Sequence, residues 1–291
     1  YRQTFVVILS QTLLTEGSEK TMSRVTLALA TALSLAVTSL AAQNLEKGVN
    51  AYYAGDYAQA LKMLSPLADD GDSDAQNILG IMYKKGYGIP LDHSEAVKWY
   101  RLAAEQGNAH AQSNLAVMFK NGLGVLQSHS EAVKWYRLAA EQGNAYAQSS
   151  LGNMYENGKG VLQDHAEAVK WYRIASEQGL ASAQTNLGFM YHNGHGVPQD
   201  YAEALKWYLL AAKQGDARAQ SNLGVMYEIG QGVLQDNVIA HMWYNIGSAK
   251  GQEIGGTNRD KIAKEMTSAD ISKAQAMARV CMSSGYTKCA Y

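Results

Sequence analysis

The sequence predicts an all-α protein, a right-handed α-solenoid built of tandem helix–loop–helix repeats. Three observations predict it: a repeat of 36 residues, an apolar period near 3.6 within each copy, and glycines at fixed places between the helices. A single helix pair of this length cannot bury its own apolar stripe, so neighbouring pairs must stack. We therefore expect one elongated repeat domain, although a chain of 291 residues would by length alone suggest two domains.

The repeat is clearest in the aromatic residues. Five full copies span residues 73–252. In each copy a tryptophan is followed by a tyrosine, and an Ala-Gln pair, a leucine and a methionine recur at the same 36-residue spacing. A degenerate copy at residues 43–72 precedes them, with Met63 and Leu64 in place of Trp-Tyr and with Pro66 inside its helix. The tryptophans are Trp99, Trp135, Trp171, Trp207 and Trp243.

Each copy has the spacing of two helices. In the second copy Ala132, Trp135 and Tyr136 lie on one helical stripe, and a helix that we expect to be shorter precedes it, with Ala111 and Leu115 on one face. A short polar residue begins the Trp helix, and in four copies a glutamate follows three residues later. This spacing predicts a capping box, in which the glutamate bonds back to the cap amide. The pairs are Asp92/Glu95, Ser128/Glu131, Asp164/Glu167 and Asp200/Glu203.

Glycines mark the turns of the chain. Gly107 and its column follow the Trp helix, where a left-handed residue commonly ends a helix. A Gly-x-Gly pair, Gly86/Gly88 in the first copy, separates the two helices of each copy and indicates a backbone requirement. A small residue within the first helix, such as Gly80, predicts a close approach of two helices; Ala116 holds this position in the second copy.

The pattern Ala-Gln-x-x-Leu-Gly-x-Met-Tyr-x-x-Gly-x-Gly-Val, then Asp-x-x-x-Ala-x-x-Trp-Tyr-x-x-Ala-Ala-x-x-Gly, resembles the Sel-1-like repeat, a relative of the tetratricopeptide repeat. The resemblance covers residues 44–252. It implies an α-solenoid that serves as a protein-interaction scaffold, with the degenerate copy as an N-terminal cap. Two amphipathic helices over residues 258–281 are similar to the C-terminal caps of secreted members, which places a helical cap at residues 253–291.

Charge and motifs argue against several other functions. With 25 basic and 26 acidic residues, the chain lacks the general basic surface of a nucleic-acid binder. His93, His129 and His165 share one column, so they lie about 8–10 Å apart on successive layers and cannot bind the same zinc ion. His192 and His195 have no cysteine or carboxylate fixed beside them, so we interpret the histidines as exposed loop residues and expect no metal and no cofactor.

We also expect no catalytic residue, because the sequence lacks the recognisable nucleophile motifs of hydrolases. The alternative is a penicillin-binding or weakly β-lactamase-like enzyme, which the resemblance brings in because cysteine-rich secreted relatives are described in this way. This chain departs from that branch, since it has only two cysteines and none of the cysteine pairs within each repeat.

The N-terminal part predicts export. Residues 22–42 combine Arg24, an uncharged apolar run over residues 25–40 and a small-residue cleavage site, which is typical of a signal peptide. A membrane anchor is the alternative, but a run of 16 residues is short of the ~20 that span a bilayer. Residues 1–21 begin with Tyr1 and are interpreted as an upstream extension. We expect a periplasmic or secreted monomer without stable membrane insertion.

The two cysteines, Cys281 and Cys289, are expected to form a disulfide in an exported protein. In a continuous helix they would be ~12 Å apart, which is too far for a bridge. Ser283, Ser284 and Gly285 offer a break that lets the chain fold back and hold the last helix against the repeats. Free thiols are the alternative.

The binding surface is predicted from the positions that vary among copies. By analogy with tetratricopeptide grooves, the first helix of each copy lines the concave face, through the columns of residues 74, 77, 81, 84 and 85. Their mixture of amides, hydroxyls and apolar anchors suits an extended peptide of a protein partner, from the bacterial envelope or from a host. The alternative is that the variation marks unconstrained surface. The candidate residues are Lys84, Lys85, His110, Lys120, Tyr146, Asn153, Glu156, Phe189, His192, Arg218 and Glu228. Lysines in the first two copies and glutamates in the third and fifth suggest a gradient from positive to negative charge along the groove.

Overall fold

A computed structural model describes residues 40–289 as a chain of antiparallel helix pairs, with no strand in that range. This arrangement confirms the α-solenoid. Helix α1 covers residues 40–53 and pairs with α2. The first helices of the five repeats are α3, α5, α7, α9 and α11, and each is followed by its second helix. The bounds are Tyr57–Asp69 (α2), Ser73–Lys85 (α3), His93–Glu105 (α4), Ala109–Asn121 (α5), His129–Glu141 (α6), Ala145–Asn157 (α7), His165–Glu177 (α8), Ala181–Asn193 (α9), Tyr201–Lys213 (α10), Ala217–Ile229 (α11) and Asn237–Ser248 (α12).

The first helix of a repeat is not shorter than the second, contrary to the expectation from sequence. Both have 13 residues in repeats one to four, and in the last repeat α12 has 12. Each helix packs mainly on the helices before and after it. The packing therefore runs along the chain, and no residue of the first repeat needs to meet one of the last.

The tyrosine that follows each tryptophan is buried in the core of its repeat. Tyr100, Tyr136, Tyr172, Tyr208 and Tyr244 are at most 1% exposed. Each ring packs on a small residue of the first helix: a Cβ added at Gly188 would lie 2.7 Å from Cδ1 of Tyr208. In the degenerate copy Leu64 packs in the same way on Gly48 of α1, and α2 continues through Pro66. The expectation of a close helix approach is confirmed.

The capping of the second helices differs from the predicted capping box. Asp92 accepts bonds from the amides of Ser94 and Glu95 at 2.8 and 3.0 Å, so the cap itself forms. The Asp92 amide, however, donates to the carbonyl oxygen of Tyr83 at 3.0 Å. The Glu95 side chain is therefore not needed there, and it pairs with Lys98 instead. The same exchange occurs in the next three repeats, through the ion pairs Lys134–Glu131, Lys170–Glu167 and Lys206–Glu203.

Two glycines fix the loop between the helices of each repeat. Gly158 ends α7 in the left-handed conformation, with φ of 64°. Gly160, with φ of 76°, lies against the preceding repeat: a Cβ there would be 2.4 Å from the carbonyl oxygen of His129. The loop therefore connects repeats through backbone contact that only glycine allows.

A ladder of glutamines joins the other ends of the helices. In the Ala-Gln pair, Gln148 donates through Nε2 to the carbonyl of Ala140 at 3.0 Å and accepts at Oε1 from Nε2 of Gln178 at 2.6 Å. Gln220 continues the ladder only in part, because Lys250 stands where the partner glutamine is expected. Oε1 of Gln220 is buried and has no hydrogen-bond partner within residues 40–289.

The first helix of the C-terminal cap begins at Glu253, earlier than the helix predicted from residue 258. Helix α13 spans Glu253–Ile262, followed by a 3-10 turn and by α14 at Ser268–Ser283. Glu253 lies 36 residues after Ala217, so α13 occupies the register of a sixth first helix. Helix α14 then packs on α12. Cys281 and Cys289 form a disulfide with their Cα atoms 4.4 Å apart, where Gly285 with φ of 62° turns the chain back.

Candidate binding site on the first helices

The predicted site residues lie on one set of elements, which we name the first-helix face: the outward positions of α3, α5, α7, α9 and α11. Lys85, His110, Tyr146, Phe189 and Arg218 are exposed there. The others of the predicted set are half-buried: Lys84, Lys120, Asn153, Glu156, His192 and Glu228. The structure thus aligns these side chains along successive repeats, while whether they bind a ligand stays a prediction.

Not every variable column reaches solvent. The column of residue 77 is half-buried in the first two repeats but buried in the last three, where Ser149, Thr185 and Ser221 are at most 8% exposed. Thr185 donates its hydroxyl to the carbonyl of Ala181 at 3.1 Å. These three residues therefore belong to the packing between repeats and are removed from the candidate surface.

The last turn of each first helix presents a polar side chain at the same position, and in repeats two to five a loop glutamine bonds the backbone of that turn. Gln163, for example, donates through Nε2 to the backbone carbonyl of Glu156 at 2.8 Å, and the next two repeats have the same bond. We name this column the end column. Its members are Lys84, Lys120, Glu156, His192 and Glu228.

Two buried tyrosines donate hydrogen bonds to the acidic members of the end column. The hydroxyl of Tyr172 donates to Oε2 of Glu156 at 2.6 Å, and the hydroxyl of Tyr244 donates to Glu228. Burial and the neighbouring carboxylate both raise the pKa of Tyr172 well above its usual range, so the phenol keeps its proton. Glu228 also has the ammonium of Lys261 at 3.8 Å.

The basic members have no such partners. The ammonium groups of Lys84, Lys85 and Lys120 make no hydrogen bond or ion pair with any residue that the structure describes. Burial and the adjacent Lys85 lower the pKa of Lys84. The predicted order of charges is present along the sequence, but only the lysines at its positive end lack a hydrogen-bond or ion-pair partner among the described residues.

An open depression lies at the opposite end of the first helices, at the start of α9. It has a volume of about 600 Å³ and is lined by Tyr146, Leu180, Ser182 and Asp216 among others. Tyr146 is 71% exposed at its rim. Leu180 occupies the N-cap of α9, where the other repeats have aspartate or asparagine, so this helix has no side-chain cap. The depression is an open recess on this face that could take an apolar side chain.

Of the histidines, only His195 is an exposed loop residue in the described part of the chain, which corrects the interpretation from sequence for the others. His93, His129 and His165 are half-buried and begin the second helices. His195 is exposed in its loop and stacks on His165 at 5.1 Å between ring centroids, whereas His192 bonds Gln231 through Nε2 at 2.7 Å. Within residues 40–289, no three or more His, Cys, Asp or Glu side chains are placed to hold one metal ion.

Two exposed apolar features were missed from sequence. Tyr53 at the end of α1 is 81% exposed and meets Tyr52 edge-on, in a cluster that continues to Tyr57 and Tyr87. Leucines in one loop column, Leu126, Leu162 and Leu234, are about 90% exposed. The leucine column could have been predicted, because these leucines recur at the repeat spacing. The tyrosine cluster could not, because it depends on the shorter loop of the degenerate copy.

Comparison with known proteins places these features in a family. The model of the Sel1 repeat matches residues 73–108, 109–144, 145–180, 181–216 and 217–252, which is more than half of the chain. A comparison with curated proteins found no match. Within residues 40–289, no helix is both long and apolar enough to cross a membrane.

Two solved structures are similar to the chain. A Sel1 repeat protein from Oxalobacter formigenes is 36% identical, with a TM-score of 0.65 over 72% of this chain and 86% of that one. The protein c5321, a protective antigen present in uropathogenic Escherichia coli strains and displaying an SLR fold, is 35% identical, with a TM-score of 0.72 over 87% of this chain. The match spans 56% of the length of c5321. The chain is a member of the Sel1 repeat family.

Proposed function

We propose that the protein is a non-catalytic scaffold, and that its first-helix face is a concave groove that binds an extended segment of a partner protein. One observation carries the proposal: a repeated backbone presents side chains that differ from copy to copy along its first helices. The buried tyrosines, glutamines and loop glycines recur in every repeat, while the exposed positions range from Lys85 to Tyr146 and Phe189. A constant frame with a variable face is what recognition of one particular partner requires.

The exposed aromatic residues are the proposed anchors. Tyr146 and Phe189 are 71% and 41% exposed on neighbouring repeats, and Tyr146 borders the 600 Å³ depression. Aromatic anchors that enter recesses supply a large share of binding energy in protein interfaces. Asn153 lies between them in the sequence and offers an amide to a peptide backbone. His192 is less suited to contact a ligand, because Gln231 already occupies its Nε2.

The experiment compares two triple variants in partner capture by chemical crosslinking from envelope extract. Tyr146→Ala/Asn153→Ala/Phe189→Ala is expected to lose the captured partner at unchanged helical content, since Tyr146 and Phe189 are exposed, where substitutions usually change stability by less than ~0.5 kcal/mol, and Asn153 is half-buried and contributes no apolar packing to the core. Leu102→Ala/Leu138→Ala/Leu210→Ala is the matched control, because these leucines are 39–47% exposed on second helices. Equal capture by both variants would contradict the groove. Turnover of nitrocefin that disappears on denaturation would contradict the non-catalytic role.

We further propose that the protein is exported to the periplasm or secreted. Support comes from the disulfide between Cys281 and Cys289, since such bonds persist in oxidising compartments. The proposed leader, residues 22–42, lies outside the described residues except for its last three. Intact-mass measurement of the protein from the periplasmic fraction should give an N-terminus at Ala42 or Gln43. A mass that retains residues 22–40 would favour an anchor instead.

A further inference from the structure

The end column of the first helices divides into two halves of different character. Glu156 and Glu228 are hydrogen-bonded by Tyr172 and Tyr244, and Glu228 also faces Lys261. His192 is bonded to Gln231. Lys84 and Lys120, at the same position in the first two repeats, have no partner for their ammonium groups among the described residues. The glutamates of the end column therefore have hydrogen-bond partners within the protein, whereas its lysines have none among the described residues.

The unpartnered lysines lie at the same end of the first-helix face. Lys84 and Lys120 hold equivalent positions in successive repeats, whose first helices α3 and α5 are bridged by a hydrogen bond from Nδ2 of Asn114 to Oδ1 of Asn77 at 3.0 Å. Lys85 follows Lys84 at the end of α3 and lies close enough for its charge to lower the pKa of Lys84, which is half-buried. The first two repeats thus place three like charges at one end of the face, where an anionic ligand relieves the repulsion between Lys84 and Lys85.

We propose that Lys84, Lys85 and Lys120 form a subsite that binds an acidic stretch of an extended peptide. The proposal rests on the groove of the proposed function and names the chemistry of its ligand: carboxylate side chains toward the N-terminal repeats. Charge complementarity is the argument, because the partnered glutamates at the other end offer no matching site for a basic stretch. A basic peptide would gain less there, since the Tyr172 hydroxyl already occupies an oxygen of Glu156 and the ammonium of Lys261 lies 3.8 Å from Glu228.

The repeat spacing also sets the register of the peptide. Axes of packed helices are about 8–10 Å apart, and the polyproline II conformation advances about 3.1 Å per residue with three residues per turn. Side chains three positions apart in such a peptide therefore face the same way, about 9 Å from each other. Two acidic residues at positions i and i+3 match Lys84 and Lys120 on successive repeats.

The test measures fluorescence anisotropy of labelled ten-residue peptides with the full chain. The probe carries two glutamates three positions apart in an alanine and proline background. One comparison peptide has both glutamates replaced by glutamine, and a second has the two glutamates adjacent. We expect the glutamate i,i+3 peptide to bind most tightly, and to weaken between 50 mM and 500 mM salt because these charges are solvent-accessible.

Lys84→Gln/Lys120→Gln removes two charges from the subsite, and we expect Kd to rise about tenfold. Lys98→Gln/Lys134→Gln is the control with the same change in net charge; these lysines are 67% and 61% exposed on second helices, and their removal should change Kd less than about twofold. Equal losses in both variants, or equal binding of the glutamate and glutamine peptides, would overturn the subsite. Tighter binding of a 20-residue oligothymidylate than of the peptide would assign the lysines to nucleic acid and overturn it too.

Failure of this inference is separable from failure of the proposed function. If Lys84→Gln/Lys120→Gln captures the partner as well as the unmodified chain does, while the Tyr146/Asn153/Phe189 variant does not, then the groove stands and the acidic specificity is wrong. If both variants lose the partner and only the lysine variant loses the acidic peptide, both proposals are supported.

Discussion

The tyrosine column holds the densest packing of each repeat. Tyr172 is fully buried, its ring lies against Gly152, and its hydroxyl bonds Glu156. Trp171, one residue earlier, is only half-buried, with the ammonium of Lys170 5.9 Å from its ring centroid. The side chain that repeats most visibly in the sequence is therefore not the one that packs most completely.

We predict that Tyr172→Ala destabilises the protein more than Trp171→Ala does. Loss of a fully buried aromatic ring costs ~3–5 kcal/mol, because the cavity closes only in part. At Trp171 part of the removed surface was already in water, so the loss should be smaller. Thermal unfolding followed by circular dichroism gives the comparison, and a lower melting temperature for Trp171→Ala than for Tyr172→Ala would contradict the ranking.

The glutamine ladder gives a second residue-scale prediction. Gln148→Ala leaves the carbonyl of Ala140 without its partner, and a buried group left unpaired costs ~1–3 kcal/mol; it also removes the bond from the exposed Gln178. Gln220→Ala removes only the bond to Ala212, because Oε1 of Gln220 has no partner in the described residues. Urea unfolding should therefore show a larger loss for Gln148→Ala. Equal losses would mean that the ladder between glutamine side chains adds nothing.

At the scale of elements, the loops between helices are as constrained as the helices. Gly160 has φ of 76°, and an added Cβ would lie 2.4 Å from the backbone of His129 in the preceding repeat. Gly143, at the end of α6, has φ of 90° with open space around its Cα. Both positions disfavour other residues through their backbone conformation, but only the first also holds two repeats together.

Gly160→Ala is therefore expected to lower stability more than Gly143→Ala. The left-handed conformation alone costs a non-glycine residue ~1–2 kcal/mol, which is the effect expected at Gly143. At Gly160 the backbone of α8 or of the preceding repeat must also move. Melting temperatures of the two single variants provide the measurement, and the idea of loop-mediated contact between repeats fails if they are equal.

Most helices, caps and turns were predictable from the sequence, because the repeat aligns five copies of the residues that start, end and pack each helix. Helices, caps at Asp92 and left-handed glycines follow from residue type and spacing. The carboxylate of Glu95 did not bond back as expected, since the carbonyl of Tyr83 reaches the cap amide first, and that contact depends on the loop path. In the candidate site the alignment of the side chains was predictable, but the hydrogen bond to Glu156 was not, because Tyr172 contacts it only after two helices pack.

Helix α12 carries a pH-sensitive group. His241 is 2% exposed where three earlier repeats have valine, and its Nδ1 has no hydrogen-bond partner within residues 40–289. Burial, then the nearby charge of Arg259, lowers its pKa, and Asp260 on the same helix α13 opposes this shift. The folded state thus binds fewer protons than the unfolded state just below pH 6.5, so stability falls as the pH drops through that value.

We predict that His241→Val weakens this dependence. One proton changes the free energy of unfolding by at most ~1.4 kcal/mol per pH unit, and valine removes that contribution while filling the column as Val97, Val133 and Val169 do. Melting temperatures at pH 7.5 and pH 5.0 should differ less in the variant than in the unmodified chain. An unchanged difference would show that other groups cause the acid sensitivity.

At the scale of the whole molecule, the core is divided along the chain. The buried residues form several clusters, one around α4 to α7 and another around α10 to α14, because each repeat contacts only its neighbours. Stability in such a chain is close to a sum of repeat and interface contributions. A perturbation at one end should therefore weaken as it passes along the solenoid, and the C-terminal cap offers a way to apply one.

Cys281→Ser/Cys289→Ser removes the disulfide that closes the cap, and both cysteines are buried against the last repeat. A bridge over so short a loop contributes ~2–3 kcal/mol, so we expect a lower stability of the C-terminal end. Amide hydrogen exchange should become faster in α14 and in α12, on which α14 packs, while α3 to α5 exchange as before. The unmodified protein treated with reductant serves as a control and should reproduce the pattern. An equal acceleration along all repeats would instead mean that the solenoid unfolds as one cooperative unit, with the cap controlling the stability of even its first repeats.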